Sequence, residues 1–216
     1  GLRSFDRSMP EEVNRVITDH LSDLLFSTTQ SAVSNLTNEG IEPARIHLSG
    51  NIMIDTLMDN MDVISRSRVL SDLKLSEGDF DVLTLHRPEN VADQSSLESV
   101  LEKFLSQDFQ DKVIFPIHPR TRKAIEESEI QGRISNSNII AIEPLGYIDF
   151  MCLISNSRAV WTDSGGIQEE TSFLGVPCFT LRANTERPET ISLGTNSLIS
   201  ENDILDVREK LSSENN

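Results

Sequence analysis

From residue 80 onward, the chain alternates short apolar runs with longer amphipathic stretches. The apolar runs predict strands at Asp81–Leu85, Lys112–Ile117, Asn138–Ile142, Ala159–Thr162, Cys178–Leu181 and Asn196–Ile199. The stretches between them predict helices at Ser95–Ser106, Thr121–Ser128, Tyr147–Ser155, Gly166–Leu174 and Glu201–Leu211. Strands that are apolar along their whole length are typical of a parallel sheet covered on both faces. The alternation therefore predicts an α/β fold with a doubly wound parallel sheet, whose ligands bind at the carboxyl ends of the strands.

Residues 1–50 follow a different pattern. Apolar side chains at three- and four-residue spacing predict a helix within Met9–Phe26 and a second, short helix at Gln30–Asn38. Arg45–Gly50 is a candidate strand. A segment with so few strands cannot close a sheet of its own. We therefore expect residues 1–50 to be the end of a preceding domain and residues 51–216 to form the next one.

The chain is strongly acidic, with a formal net charge of -16. A surface of this charge repels phosphate backbones and anionic lipids, which argues against general nucleic-acid or membrane binding. No apolar run approaches the roughly 20 residues of a membrane-spanning helix, and no signal peptide is recognisable, so a cytoplasmic location is expected. Cys152 and Cys178 form no C-x-x-C pair, which predicts buried core residues and no zinc site or disulfide framework.

An Asp-Ser-Gly-Gly sequence ends one predicted strand and leads directly into a helix. The first N–H groups of a helix have no partners within it and carry a partial positive charge, so they can bind an anion. We predict that Ser164, Gly165 and Gly166 hold a diphosphate where a helix begins near Ile167, and that Glu170 accepts hydrogen bonds from a sugar hydroxyl. An isolated Gly-Gly is more often an ordinary strand-to-helix turn.

Two arginines follow the next predicted strand, within the sequence RANTERPET. This segment is expected at the same edge of the sheet as the Gly-Gly turn, and planar guanidinium groups suit phosphate oxygens. Arg187 is therefore a candidate for the phosphate site. Arg182 is expected to form a surface ion pair.

Two histidines also follow predicted strands. His86, in LTLHRPENV, could donate to a leaving diphosphate or lie over a sugar, and a histidine that only caps the strand fits the spacing equally well. His118, in PIHPRTR, precedes Arg120 and Arg122. For this second group, the start of the following helix is the favoured interpretation.

An aromatic residue and two glutamates leave similar alternatives open. Phe150 could stack on a planar base, although aromatic residues at helical spacing more often belong to the core. Glu11 and Glu12 follow a proline at a helix start, where acids commonly complement the helix dipole. A glutamate beside a cleft can also act as a general acid or base.

Several motifs together carry a family resemblance: GLRSFDRSMPEEVNR, GNIMIDTL, LHRPENV, HPRTR, TDSGGIQEETSFLGVPC and NTERPET. In this order, over nearly the whole chain, they resemble the non-hydrolysing UDP-N-acetylglucosamine 2-epimerases. The resemblance implies two Rossmann-like domains in a glycosyltransferase-B-like arrangement, with the substrate between them. This chain would then hold a partial N-terminal domain and most of the C-terminal one.

The resemblance also implies a reaction. Members of the family interconvert UDP-N-acetylglucosamine and UDP-N-acetylmannosamine by eliminating UDP to a 2-acetamidoglucal and adding it back, without a nicotinamide cofactor. No cofactor and no metal are therefore expected, and the full-length protein is expected to be a homodimer. The resemblance also implies residue roles. By motif, Glu11 matches an acid/base carboxylate, His86 the histidine near the diphosphate and Phe150 the uracil contact. Ser164 with Gly165 and Gly166 match the phosphate seat, and Glu170 matches the ribose-hydroxyl acceptor. Arg187 matches the cleft arginine, and His118 matches an allosteric contact.

The sequence departs from the family at both ends. The early TRPE-type loop, a later aspartate, a glutamate ahead of AGLR and the closing helix are all missing from it. We therefore expect a fragment that keeps much of the UDP-binding half, binds UDP weakly and does not turn over.

Other functions remain open at this stage. A hydrolysing epimerase would release N-acetylmannosamine and UDP. A 2-epimerase of a 6-deoxy UDP-sugar shares the PEE-NR and HPRTR types of motif, and a retaining glycosyltransferase shares the fold. A non-catalytic UDP-sugar-binding module is the alternative outside the enzymes.

Overall fold

A computed structural model of the chain describes residues 1–87, 94–105, 111–117, 119–126, 128 and 130–214. The strands are β1 (Leu25–Ser27), β2 (Ile46–Leu48), β3 (Phe80–Thr84), β4 (Lys112–Pro116), β5 (Ile139–Ile142), β6 (Ala159–Thr162), β7 (Cys178–Leu181) and β8 (Asn196–Ile199). The helices before β5 are α1 (Pro10–Leu21), α2 (Gln30–Asn38), α3 (Ile52–Ile64), α4 (Val69–Leu73), α5 (Gln94–Phe104), α6 (Pro119–Glu126) and α7 (Gln131–Ile134). The helices after it are α8 (Tyr147–Ser155), α9 (Gly165–Leu174), α10 (Glu189–Ser192) and α11 (Ile204–Glu214).

The predicted doubly wound sheet is confirmed. Its strands lie in the order β5-β4-β3-β6-β7-β8, and every neighbouring pair is parallel. The chain therefore builds outward from β3 on one side, returns to the centre at β6 and builds outward on the other side. In sheets of this kind, the crevice where the direction reverses is the usual place for a ligand. Here that switch point lies between the carboxyl ends of β3 and β6.

Both faces of the sheet are buried, as the continuous apolar strands predict. On β3, Leu83 joins a core cluster with α5 and α11, while Phe80 and Val82 join a second cluster with α3, α8 and α9. Cys152 and Cys178 are buried and unpaired with each other, so their assignment to the core is confirmed. The two helical layers hold the strands in place and leave the strand ends to carry polar side chains.

A buried ion pair lies at the amino ends of the central strands of the sheet. Asp81 is fully buried and accepts two hydrogen bonds from Arg158, from Nε at 2.9 Å and from Nη2 at 3.0 Å. The indole N–H of Trp161 also donates to Asp81, at 3.0 Å. Asp81 and Arg158 therefore stabilise the amino ends of the strands, and the crevice between β3 and β6 lies at the opposite, carboxyl ends.

Residues 1–50 contain a separate two-stranded parallel sheet of β1 and β2. The helix predicted within Met9–Phe26 ends at Leu21, because Leu25–Ser27 pairs with β2 instead of continuing the helix. A three-residue strand is too short to show an alternation that distinguishes it from a helical turn. The Asn51 side chain accepts the Met53 N–H at 3.0 Å and caps α3. A domain boundary near this cap stays a prediction.

No helix among the described residues is long and apolar enough to cross a membrane. In the same ranges, no group of histidine, cysteine, aspartate and glutamate side chains is arranged to hold a metal ion.

Candidate functional site

The predicted phosphate seat lies at the start of α9, directly after the central strand β6. The helix begins at Gly165, one residue before the predicted range Gly166–Leu174, and Ser164 occupies its N-cap position. The Ser164 N–H donates to Thr162 Oγ1 at 3.0 Å, so this group is already paired. The positively polarised N–H groups of the first turn therefore begin with Gly165 and Gly166.

The two glycines have different surroundings. A Cβ placed on Gly165 would lie 2.6 Å from both Arg187 Nη1 and Glu186 Oε1, so any larger residue would require these two side chains to move. A Cβ placed on Gly166 would meet no atom within 4 Å, and Gly166 is exposed. The backbone of the first turn is thus covered by Arg187 on one side and open at Gly166 on the other.

Arg187 is held over this turn by two carboxylates. Its Nε lies 2.7 Å from Glu169 Oε2, and its Nη1 lies 2.6 Å from Glu186 Oε1. Burial raises the pKa of Glu186, but the positive charges of Arg182 and Arg187 outweigh this effect and bring the pKa to about 2. Glu186 therefore stays ionised at neutral pH and fixes the position of the Arg187 guanidinium.

The expectation that Arg182 forms a surface ion pair is wrong. Arg182 is buried, and its Nη2 donates to Glu186 Oε2 at 3.0 Å. The sulfur of Met9, in the segment before α1, lies 4.0 Å from the same nitrogen. The ion pair is internal because this N-terminal segment covers it, which the spacing of charges along the sequence cannot reveal.

His86 lies on the other side of the switch point, just after β3. Its ring Nδ1 is 2.8 Å from Oδ1 of Asp163, which is fully buried. Asp163 Oδ2 also accepts the backbone N–H groups of His86 at 3.0 Å and Arg87 at 2.9 Å. Asp163 thus fixes both the loop after β3 and the orientation of the imidazole. Because Nδ1 of the His86 ring faces Asp163, Nε2 is the ring nitrogen that can face a ligand.

The two glutamates after Pro10 have different roles in the structure. Glu12 is buried and accepts the N–H groups of Ser4 at 3.1 Å and Phe5 at 2.9 Å, so it holds the preceding turn. Glu11 is exposed and lines a cavity of about 430 Å³ that it shares with Arg87 and Arg187. The carboxylate assigned to acid/base chemistry therefore lies in the same cavity as the cleft arginine.

The predicted uracil contact and the predicted ribose contact lie on the helices α8 and α9. Phe150, on α8, is half-buried and packs against the apolar cluster on that face of the sheet. Glu170 is buried on α9, and burial raises the pKa of its carboxyl group. A buried carboxyl that gains hydrogen-bond donors from a ligand hydroxyl would be more easily ionised.

His118 lies outside the described residues. Its neighbour Arg122 is part of α6 and forms an ion pair with Glu143 at 2.7 Å.

Sequence reasoning missed three polar residues that the fold brings to the crevice: Asp163, Gln168 and Glu186. Gln168 is fully buried and contacts the segment that carries Arg187. The sequence does hint at Asp163, because an aspartate at the end of one strand can face a histidine at the end of an adjacent strand. Using that hint requires knowing that β3 and β6 are adjacent, and strand order cannot be derived from the sequence pattern alone.

The strand order and the polar groups at the switch point define a Rossmann-like α/β protein of the glycosyltransferase-B type. The sequence model of the UDP-N-acetylglucosamine 2-epimerase family matches residues 1–216. The chain therefore belongs to this family.

Similar proteins agree with this membership. The UDP-N-acetylglucosamine 2-epimerase of Methanocaldococcus jannaschii is 44% identical over 208 residues, which cover 94% of this chain and 57% of that protein. The Escherichia coli K12 enzyme of the same name is 34% identical, over 92% of this chain and 55% of that protein. The crystal structure of the M. jannaschii enzyme in complex with UDP-GlcNAc and UDP has a TM-score of 0.89 and 42% identity, over 98% of this chain and 60% of that one. The chain thus spans less than two thirds of the relatives that it matches.

Proposed function

We propose that this chain forms the nucleotide-binding part of a UDP-N-acetylglucosamine 2-epimerase. The observation that carries the proposal is the convergence of three groups at the switch point: the open start of α9 at Gly166, the Arg187 guanidinium and the His86–Asp163 pair. All three suit a diphosphate, because each offers a positively polarised N–H donor. The family membership and the solved relative with bound UDP-GlcNAc and UDP support the same ligand.

The proposed reaction places its charge where these groups lie. In the elimination, the bond between C1 and the diphosphate oxygen breaks, a base removes the C2 proton and a C1–C2 double bond forms. Negative charge develops on the departing UDP, and donors already aimed at it lower the barrier without reorganising. Re-addition joins the diphosphate oxygen to C1 again, while an acid returns a proton to the opposite face of C2.

The residues of this chain take separate parts in that cycle. Gly165 and Gly166, with the Ser164 side chain and Arg187, hold the diphosphate, and the His86 ring donates to it as it leaves. Glu11 exchanges a proton with the sugar from the shared cavity. On the nucleotide side, Phe150 lines the uracil site and Glu170 accepts a ribose hydroxyl. A carboxylate held near its substrate is a suitable acid/base group because its pKa responds to burial and to neighbouring charge.

The remaining expectations belong to the same proposal. Residues 1–50 would end one domain and residues 51–216 would form the next, with His118 contacting a second, activating nucleotide sugar. A homodimer and a cytoplasmic location are expected for the complete protein. Analytical ultracentrifugation of that protein would test the dimer.

The proposal predicts a separation between binding and turnover. Calorimetric titration of the purified 216-residue chain with UDP should show binding, whereas titration with ADP should be much weaker because the base contact is lost. The same chain should not interconvert the two UDP-sugars. The complete protein that contains this sequence should do so in deuterated water and incorporate deuterium at C2. Absence of UDP binding, or turnover without deuterium at C2, would contradict the proposal.

A further inference from the structure

A continuous path of hydrogen bonds joins the loop that carries Arg187 to the start of α9. The Arg187 N–H donates to Thr185 Oγ1 at 3.1 Å, and the Thr185 hydroxyl donates to Gln168 Oε1 at 2.7 Å. Gln168 Nε2 in turn donates to the Ser164 carbonyl oxygen at 3.3 Å. We propose that Thr185 and Gln168 are positioning residues that set the register between Arg187 and the phosphate seat, and thereby the affinity for the nucleotide diphosphate. This inference rests on the proposed function of that seat.

The orientation of the Gln168 side chain is fixed by its other partners. Asn196 Nδ2 also donates to Gln168 Oε1, at 3.1 Å, and Asn196 Oδ1 accepts the Thr180 hydroxyl at 2.6 Å. The amide oxygen of Gln168 therefore faces donors while its amide nitrogen faces a carbonyl, and a reversed amide would oppose like groups. A buried network with its partners satisfied specifies one arrangement of the segments that it joins.

The seat requires such accuracy because Arg187 lies so close to the backbone. Arg187 Nη1 is 2.6 Å from the position that a Cβ on Gly165 would take. A shift of the loop would therefore change the position of the guanidinium beside the first turn of α9, and with it the contact of the guanidinium with a bound anion. The effect of small misplacements on ligand-binding groups is known to be large. Thr185 bears directly on this placement because it holds the Arg187 backbone itself.

The test replaces Thr185 with valine, which keeps the shape of the side chain and removes both hydrogen bonds. Thr185→Val is expected to raise the UDP Kd about tenfold, and Thr185→Ser, which restores the hydroxyl, is expected to stay within about twofold of the original chain. Hydrogen exchange gives a readout that needs no nucleotide. The Arg187 amide should exchange about tenfold faster in Thr185→Val, while amides of β7 keep their rates.

Thr195→Val is the matched control, because the Thr195 hydroxyl donates to the Val176 carbonyl oxygen at 2.6 Å and, within the part of the chain that the structure describes, forms no hydrogen bond with Gln168 or the Arg187 loop. It should lower the melting temperature and leave the UDP Kd within about twofold. Equal UDP affinity in Thr185→Val and the original chain would overturn the inference, and so would an equal loss of affinity in Thr195→Val. If the original chain binds no UDP, the proposed function fails. An unchanged exchange rate of the Arg187 amide would then refute the positioning role independently.

Discussion

Replacing Asp163 with asparagine is expected to lower the kcat of the proposed epimerisation by the complete protein about a hundredfold, as for the loss of one preorganised donor to a developing anion. The carbonyl oxygen of the new amide can still accept the N–H groups of His86 and Arg87. Its NH₂ group, however, would face His86 Nδ1, which now lies 2.8 Å from a carboxylate oxygen. The ring would then have to accept a hydrogen bond at Nδ1, and the proton would move to Nε2. The neutral ring could still donate from Nε2, but the imidazolium form would lose its counter-charge. The expected loss therefore comes from the missing positive charge beside the departing diphosphate.

Asp203→Asn provides the control for this variant. Asp203 also accepts a backbone N–H, that of Ser200 at 2.8 Å, but it faces no imidazole. Its replacement should leave kcat unchanged. Nitrogen-15 NMR of the histidine rings should show the changed tautomer of His86 only in Asp163→Asn. A kcat within threefold of the original value, or the same His86 tautomer in both variants, would contradict the role assigned to Asp163.

The largest effect on stability is expected from Arg158→Met. This change removes the guanidinium that donates two hydrogen bonds to the buried Asp81 carboxylate. Breaking a buried ion pair from one side costs about 3–5 kcal/mol, because the remaining charge is left without compensation. Urea unfolding of the purified chain would measure this loss of free energy. The Trp161 indole would still donate to Asp81, but a neutral donor offsets only part of the cost.

Arg133→Met is the matched control for that measurement. Arg133 forms an ion pair with Glu102 at 2.6 Å, but both side chains are more than half exposed. Surface pairs of this kind contribute about 0–1 kcal/mol. If Arg158→Met cost no more than Arg133→Met, the account of the amino ends of the strands would be wrong.

The sequence predicted the main sheet because its strands carry a strong local signal. Each is nearly continuous in apolar or β-branched side chains, so burial on both faces could be read directly. The short strand Leu25–Ser27 lacked that signal, since it is defined by pairing with Ile46–Leu48 and not by its own composition. The helix Ile52–Ile64 also escaped prediction, although Asn51 at its start has the side chain of a helix cap.

The candidate site was predictable to the level of the sheet edge, but not to the level of individual contacts. Polar residues after strands could be assigned to the carboxyl edge, and His86 and Arg187 do lie there. Asp163 and Gln168 act through partners far away along the chain, so their importance depends on strand order. Arg182 was misassigned for the same reason, because its burial comes from a segment at the other end of the sequence.

The central claim is that a diphosphate binds against the open backbone at the start of α9, and Gly166→Ala tests it most directly. The added methyl group meets no atom within 4 Å in the free protein, so it disturbs no packing there. Gly132→Ala is the control, because a Cβ there is equally unobstructed and lies on the distant helix α7. Calorimetric titration with UDP should give a Kd at least about tenfold higher for Gly166→Ala and an unchanged Kd for Gly132→Ala, with no lower melting temperature in either variant, because alanine favours a helix over glycine. Equal UDP affinity in Gly166→Ala and the original chain would show that the diphosphate binds elsewhere.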